Sequence, residues 1–259
     1  GSDNGGTVTP TDASVTPPKT TFFNTDPGNA ADLGMLHIKS GDSSATANAH
    51  ADELVVEGSA NSGISILSGA SNIGRVNFGD SGDDDIGIIF YDHSDNSLTI
   101  RNNATNHMVM SSAGEVTKPL NTAFRVVCAD MNNIQISQYH NLQFNDEKFD
   151  IGSNFDTSTY TFTAPVTGKY FLNVSLLLQD VDTAAGYYGL RIEASNHSYW
   201  DYLHSVKYDS DPTYFPIHAN RMMDMDANDT VYVRIYQYQG SAQTDVNGGA
   251  TIFAGYLLG

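Results

Sequence analysis

The sequence predicts an all-β protein in which a repetitive β stem precedes a β-sandwich head. Two patterns lead to this prediction. Apolar and polar residues alternate in short segments, which is the period of a strand with one buried face, and turn-forming Gly, Asn, Asp and Ser lie between those segments. Of the 27 aromatic residues, 22 lie from Phe124 onward, so the larger core is expected in the C-terminal part.

Residues 1–32 are predicted to be a flexible linker. They are rich in Thr, Pro, Gly and Asp and include Pro10, Pro17, Pro18 and Pro27. This composition offers too little apolar surface to offset the entropy lost when a chain becomes ordered. An extended connection is therefore expected.

Residues 33–120 are predicted to form the stem, because a repeat of 22 residues runs through them. Residues 53–74, 75–96 and 97–118 align without a gap. Each copy contains two pairs of alternate apolar residues and therefore predicts strand, loop, strand, loop. The pairs are Leu54/Val56 and Ile64/Ile66, then Val76/Phe78 and Ile86/Ile88, then Leu98/Ile100 and Met108/Met110. Residues 36–38 predict an earlier strand outside this repeat.

The stem strands are thin, with two or three apolar side chains each. One chain alone cannot build from them a core that offsets the entropy of ordering. Repetition along an axis, with three chains pooling their apolar faces, removes this difficulty. The sequence therefore predicts a trimeric, interdigitated β stem.

Residues 121–259 are predicted to form the head. Residues 159–163 read Thr-Tyr-Thr-Phe-Thr, an alternation typical of a half-buried strand. Pro165 and Gly168 mark the following turn, because proline fixes φ and glycine permits a positive φ. Residues 169–178 predict a long, nearly continuous apolar strand suited to the inside of a sandwich, and residues 231–236 and 251–258 predict two further strands.

A spaced set of residues identifies the head more closely: Phe144, Asp150, Phe155, Phe162, Gly168 and Tyr170, in the pattern F-x5-D-x4-F-x6-F-x5-G-x-Y. This pattern resembles the signature of the globular head of complement component 1q and its relatives in the tumour-necrosis-factor-like superfamily. The resemblance covers residues 121–259. It implies a ten-strand-type jelly roll that trimerises, binds partners and catalyses nothing. The chain departs from the family at Leu172 and Val174, where aromatic residues are usual.

A second resemblance concerns the stem. Residues 63–69, 76–80, 91–100 and 108–116 look like segments of bacteriophage tail-fibre stems. This resemblance implies that the N-terminal side leads to the tail of the virion and that the head is the distal tip. A bacterial surface adhesin would show the same architecture, so both interpretations stay open at this point.

The aromatic faces of the last strands are predicted to join the subunits of the trimer. In residues 231–238, Val231, Val233 and Ile235 suit the core, whereas Tyr232 and Tyr236 lie on the other face, which is too aromatic for plain solvent. The closing strand resembles the family strand that lies beside the trimer axis. The predicted interface residues are Tyr232, Tyr236, Phe253 and Tyr256.

An aromatic cluster between residues 199 and 215 is the predicted ligand-binding region. Aromatic rings beside hydrogen-bonding groups suit a sugar or peptide ligand, although half of the rings are also expected in the core. Trp200 is the expected anchor, since tryptophan supplies a large rigid contact. The predicted binding residues are Tyr199, Trp200, Tyr202, Tyr208, Tyr214 and Phe215.

Composition argues against several other classes of protein. The net charge of −18 is unsuited to nucleic acid, which requires clustered Lys and Arg. No stretch approaches the ~20 apolar residues of a membrane-spanning helix, so no membrane insertion is expected. Cys128 is the only cysteine and is expected to be a small core residue.

The sequence contains no convincing catalytic motif. Asp180/Asp182 and Asp209/Asp211 are the carboxylate pairs that a glycan-cleaving enzyme would need, but each pair lies in a loop-like stretch. Residues 83–85 offer carboxylate oxygens to calcium; a solvated loop is the expected role, because no complete ligand set is present. No enzyme activity and no cofactor are therefore predicted.

Together these patterns predict a homotrimeric tail fibre of the virion, extracellular, whose head attaches to a glycan or protein receptor on the host cell. The first alternative is a secreted or surface-anchored bacterial adhesin with the same head. A glycan-degrading tailspike is the remaining alternative.

Overall fold

The computed structural model describes residues 36–39, 41–197, 202–205 and 207–258. Strands dominate these residues, and the one helical segment among them is a 3-10 turn at Gly248–Ala250, which confirms the all-β prediction. None of the helical structure in this part of the chain is long and apolar enough to cross a membrane. The chain divides into two compact units, Gly1–Gly69 and Ala70–Gly259. This division lies within the predicted stem, so the domain boundaries 1–32, 33–120 and 121–259 stay predictions.

In residues 36–39 and 41–69, the described part of the first unit, there is one parallel strand pair, β1 (Leu36–Lys39) and β2 (Leu54–Glu57). Glu57 is buried and lies 2.8 Å from Nε2 of His37. Its other oxygen accepts hydrogen bonds from the backbone N–H and the hydroxyl of Ser43. These contacts satisfy a carboxylate whose burial would otherwise be costly.

The second strand predicted for the first repeat is not formed. Residues 58–72, all of which the structure describes, contain no strand. Ile64 and Ile66 are 68% and 48% exposed. The sequence expectation was therefore wrong for a single chain, because a strand needs a pairing partner as well as an alternating pattern.

The strands predicted for the second and third repeats are present and form an antiparallel meander. Its members are β3 (Ile73–Phe78), β4 (Gly87–Asp92), β5 (Ser97–Asn102), β6 (Thr105–Met110) and β7 (Val116–Thr117), paired in that order. The turn between β4 and β5 is held by the carboxylate of Asp92, which accepts the backbone N–H of Ser94 at 2.8 Å. Asn96, with φ of 57°, supplies the left-handed residue at the end of this turn.

The register of the meander places nine apolar side chains on one side. Val76 lies opposite Ile89, Ile89 opposite Ile100, and Ile100 opposite Met108. We call this side the stem face; it consists of Val76, Phe78, Ile89, Tyr91, Leu98, Ile100, Met108, Met110 and Val116. All of these except Met108 are between 37% and 56% exposed. The opposite side buries Ile88 and Thr99, so the two sides of the sheet differ sharply.

The head is a jelly-roll sandwich of two antiparallel sheets. The first has the order β10 (Asp146–Ile151), β8 (Ala123–Val127), β19 (Ile252–Leu257), β13 (Gly168–Gln179) and β16 (Tyr214–Met225), with β18 (Asp245–Val246) beside β13. The second has the order β11 (Phe155–Asp156), β12 (Thr161–Thr163), β17 (Thr230–Tyr238), β14 (Tyr187–Ala194) and β15 (Tyr202–His204), with β9 (Tyr139–Asn141) beside β17.

An aromatic cluster fills the space between the two sheets. The ring of Phe124 lies 4.7 Å from Phe162, 5.3 Å from Phe155 and 5.0 Å from Phe253. Phe144 is fully buried and lies 5.5 Å from Phe253. Aromatic side chains supply most of the buried area of such a core, which explains why the signature spaces phenylalanines along successive strands.

The polar members of the signature hold the turns beside this core. A carboxylate oxygen of Asp150 accepts the backbone N–H of Phe155 at 2.7 Å. The hydroxyl of Tyr170, whose ring is buried, donates to the carbonyl of Val166 at 2.7 Å. The departure at Leu172 causes no void, since a Cβ added to Gly255 would lie only 2.6 Å from the Leu172 side chain.

The single cysteine lies where the sequence predicts. Cys128 is 4% exposed at the edge of the head core, and burial raises the pKa of its thiol to about 12. The thiolate is the reactive form of cysteine. Cys128 is therefore a small core residue.

Candidate binding and assembly surfaces of the head

The outward side of the first sheet carries an apolar row across three strands. Phe171 of β13 lies opposite Met222 of β16 and opposite Tyr256 of β19. The rings of Phe171 and Tyr256 are 5.6 Å apart, and Met222 and Tyr256 are 66% and 45% exposed. We call this row the Tyr256 face. Exposed apolar patches of this kind mark contact surfaces.

Five tyrosines gather on the outward side of the second sheet, which we call the Tyr236 face: Tyr139, Tyr187, Tyr232, Tyr236 and Tyr238. The ring of Tyr236 lies 4.7 Å from Tyr139 and 6.0 Å from Tyr187, and Tyr187 stacks on Tyr238 at 4.8 Å. Gly189 lies directly opposite Tyr236 and leaves room for its ring. The rings therefore support one another instead of standing separately in solvent.

Arg234 lies between two of these rings. Its guanidinium carbon is 5.3 Å from the centre of Tyr232 and 5.5 Å from that of Tyr139, distances typical of cation–π contacts. Its Nη1 donates to Glu193 and its Nε donates to Oδ1 of Asn141, both at 3.1 Å. The positive charge is thus compensated and the side chain is held in one orientation.

A surface recess opens beside the Tyr236 face. Its volume is about 580 Å³, and its lining includes β9, Gln143, Arg234 and the turn between β11 and β12. In that turn Asp156 accepts the backbone N–H of Ser158 at 2.8 Å and its hydroxyl at 2.6 Å. The Ser158 hydroxyl and then the backbone donors lower the pKa of Asp156 to about 2. The turn is therefore held by a carboxylate that stays ionised at ordinary pH.

Comparison with known proteins assigns the head. The family model for the C1q domain matches residues 123–258. The chain belongs to the C1q domain family. This finding confirms the first resemblance drawn from the sequence; the resemblance of the stem to tail fibres stays a prediction.

The similar solved structures include two whose matches cover about half of this chain. The globular domain of zebrafish complement 1qA protein is 18% identical, with a TM-score of 0.42, and the match covers 54% of this chain and 98% of that one. Murine APRIL is 14% identical, with a TM-score of 0.40, and the match covers 53% of this chain and 99% of the other. No curated protein matches the chain.

The predicted subunit contacts of the C1q head do not form one patch. Tyr232 and Tyr236 belong to the Tyr236 face, whereas Tyr256 points outward from the opposite sheet. The structure corrects the expectation for Phe253, which is 0% exposed and packs against Phe124. Phe253 and Tyr256 lie three residues apart in one strand, so they point to opposite sides of the sheet.

The predicted ligand-binding cluster is described in part. Tyr199 and Trp200 lie outside the described residues, and of Tyr202 only the backbone in β15 is described. Tyr208 and Tyr214 are 58% and 53% exposed. Phe215 is half-buried, with its ring 6.5 Å from Tyr208 and 6.1 Å from His204. Tyr214 and Phe215 are consecutive in β16 and point to opposite sides, so the described members do not converge on one site.

The carboxylates considered for catalysis hold loops together. Asp182 is 2% exposed and accepts the backbone N–H groups of Ala184 and Ala242 at 2.8 Å and that of Ser241. Asp211, which belongs to the second pair, accepts the backbone N–H of Thr183 at 2.8 Å. Burial raises the pKa of Asp182, but the backbone donors outweigh that effect and hold the pKa below its usual value.

Residues 83–85 bring three carboxylates together, with oxygen atoms within 4.8 Å of one another. Asp83 and Asp84 are exposed. Oδ1 of Asp83 accepts the backbone N–H of Asp85 at 3.0 Å. This arrangement fits the solvated turn expected from the sequence.

Neutralising Asp182 should destabilise the C1q head. In Asp182→Asn the amide cannot accept all of the donors that surround the carboxylate, so the free energy of unfolding should fall by about 1.5–3 kcal/mol at pH 7, as for hydrogen bonds to charged groups. The folded pKa is depressed, so this stabilisation is present above the unfolded pKa of about 3.9 and disappears as the pH falls through the folded pKa. Denaturant unfolding at pH 7 and pH 3 measures the difference.

Asp180→Asn is the matched control, because Asp180 is exposed two residues away. It should change the unfolding free energy by less than about 0.5 kcal/mol. Equal losses in the two variants, or a loss in Asp182→Asn that persists unchanged at pH 3, would contradict the role of the carboxylate.

Proposed function

We propose that the chain is the subunit of a homotrimeric bacteriophage tail fibre that attaches the virion to its host. In this proposal residues 1–32 connect to the virion tail, residues 33–120 form the spacer, and the C1q head binds a glycan or protein receptor. The head contributes binding and assembly, and no chemical step is assigned to it.

The stem face is the observation that carries this proposal. Eight of its nine residues are between 37% and 56% exposed, and a contiguous exposed apolar patch of this kind marks a contact surface. None of its strand positions holds Asp, Glu, Lys or Arg. Such a surface needs apolar cover, and the equivalent faces of two further copies supply cover of the same chemistry.

The Tyr256 face supplies the second contact between copies. Met222, Phe171 and Tyr256 form an exposed apolar row, whereas the tyrosines of the Tyr236 face already contact one another and Arg234. We therefore place the head contact at the Tyr256 face; a contact through Tyr232 and Tyr236 stays a prediction.

A surface-anchored bacterial adhesin is the alternative that shares these features. The turn between β4 and β5 lies in residues 91–100, where the resemblance to tail fibres is most specific, and this favours the fibre. Neighbouring genes distinguish the two proposals, since tail and baseplate genes accompany a fibre and secretion genes accompany an adhesin.

Polar substitution of the stem face should weaken assembly. Ile89→Thr/Ile100→Thr keeps β-branched side chains in the strands but removes apolar surface at the centre of the face. Light scattering of the wild type should give three times the chain mass of 28.0 kDa, and the variant should dissociate at concentrations where the wild type does not.

Ile73→Thr is the matched control, because Ile73 is 45% exposed, close to the 42% of Ile89 and Ile100, and lies on the opposite side of the sheet. A wild-type mass of one chain at micromolar concentration would refute the trimer. Equal dissociation of the control and the double variant would refute the stem face as the contact.

The two outer faces of the C1q head can be compared directly. Met222→Ser/Tyr256→Ser should make the trimer dissociate at higher protein concentrations than Tyr232→Ser/Tyr236→Ser does, because only the first pair lies in the exposed apolar row. Sedimentation at a series of concentrations measures both. If Tyr232→Ser/Tyr236→Ser weakens the trimer more, the subunits contact one another through Tyr232 and Tyr236 instead.

Binding to host cells is the direct test of attachment. The purified trimer should bind cells that the phage infects and should slow adsorption of the phage to them. Trp200→Ala should reduce this binding while the trimer and its melting temperature are unchanged. A fall in stability of about 3–5 kcal/mol would instead make Trp200 a core residue, and absence of cell binding by the wild type would refute attachment.

A further inference from the structure

We propose that the recess beside the Tyr236 face is a saccharide-binding site for a neutral, hydroxyl-rich sugar. This inference rests on the proposed attachment function and names the class of receptor. The recess lies outside the aromatic cluster between residues 199 and 215, and its lining comes from parts of the chain that no binding motif marks.

Apart from Arg234 and His140, the polar lining of the recess is uncharged and both donates and accepts hydrogen bonds. Asn141 and Gln143 contribute amides, and Ser158 and Thr159 contribute hydroxyls; all four residues are exposed. Adjacent hydroxyl groups of a sugar ring each donate and accept, so groups with both functions match them. Oδ1 of Asn141 accepts a hydrogen bond from Arg234. This bond fixes the orientation of the amide, and its N–H groups point away from Arg234.

The charges around the recess argue against an anionic ligand. The lining contains neither Lys, Asp nor Glu, and its one constantly charged side chain is Arg234. That guanidinium already donates to Glu193 at 3.1 Å, so its charge is largely compensated. A phosphate or carboxylate would meet little net positive charge in a chain of net charge −18.

Two aromatic side chains, Tyr139 and Tyr160, line the recess. Tyr139 is 39% exposed, and its ring is supported by Tyr236 at 4.7 Å and by Arg191 and Arg234 at 5.8 and 5.5 Å. Tyr160 is half-buried on the β11–β12 turn. Rings fixed before binding offer contact area for the C–H groups of a sugar at a low entropic cost.

The backbone at Tyr160 adds an independent sign of function. Its φ is +60°, a conformation that is unusual for a bulky residue and costs energy. The turn persists because Asp156 accepts the backbone N–H and hydroxyl of Ser158. Strained backbone that neighbouring hydrogen bonds hold in place concentrates at ligand sites. Here the strained residue, Tyr160, belongs to the turn that lines one side of the recess.

The size of the recess also suits a small saccharide. A volume of about 580 Å³ lies within the ~300–1,000 Å³ usual for small-ligand sites. The open, polar lining does not suit an apolar ligand, which needs an enclosed apolar surface. The occupant is therefore a short glycan end group and not a lipid or a polynucleotide.

The test uses the trimer of residues 1–259 and immobilised sugars as probes. Neutral conjugates of glucose, galactose, rhamnose and N-acetylglucosamine are compared with acidic conjugates of glucuronic acid and N-acetylneuraminic acid by biolayer interferometry. The wild type should bind at least one neutral conjugate, and Gln143→Ala/Thr159→Ala should bind it at least tenfold more weakly. Gln143→Ala alone, outside any strand, keeps the test decisive if the double variant fails to fold.

Gln243→Ala is the matched control for Gln143→Ala, with the same residue type exposed outside the recess lining; its binding should equal that of the wild type. The inference is overturned if no neutral conjugate binds, if only acidic conjugates bind, or if the recess variant loses less than tenfold. It is also overturned if the recess variant dissociates the trimer, because the recess would then be a contact between copies. Host-cell binding without sugar binding refutes the saccharide site alone, whereas sugar binding without host-cell binding refutes attachment alone.

Discussion

The alternation of side chains across each strand is the constraint on which this protein depends. Every second residue of a strand lies on the same side of its sheet, so an alternating sequence produces one apolar side that must be covered. In the C1q head, two such sheets cover each other and enclose Phe124, Phe162 and Phe253. The strands of the meander of residues 73–117 alternate in the same way, but the stem face stays exposed within the chain. In the proposed trimer, assembly would meet for the stem face the requirement that folding meets for the head.

The sequence predicts most of the head because its signature residues act locally and in the core. Phe155 and Phe162 pair across one hairpin, and Asp150 and Tyr170 hold adjacent turns, so their spacing survives as a readable pattern. Alternation does not reveal which side of a strand faces the core, so it does not show that Phe253, a predicted interface residue, is buried. It also does not supply a pairing partner, and residues 64–66 therefore form no strand despite their pattern.

The recess could not be predicted, because pairing between distant strands assembles it. Arg234 meets Asn141 through the register of β17 and β9, a separation of 93 residues, and the turn at Tyr160 joins them from a third region. None of these residues lies in a local motif. The sequence does show that Tyr232 and Tyr236 share an outward face, but their contacts with Tyr139 and Arg234 follow only from the folded sheet.

The two outer faces of the head suit different tasks for a physical reason. The Tyr256 face exposes apolar groups that gain free energy only when a second surface covers them. The Tyr236 face is already satisfied by ring stacking and by the bonds of Arg234, so it can stay in water and hold the adjoining recess in shape. Three copies would then present three recesses, and linked sites can exceed the affinity of one site by about 10²–10⁴. A shallow, polar recess that binds one sugar weakly is therefore compatible with firm attachment, provided that the stem face and the Tyr256 face keep the three heads together.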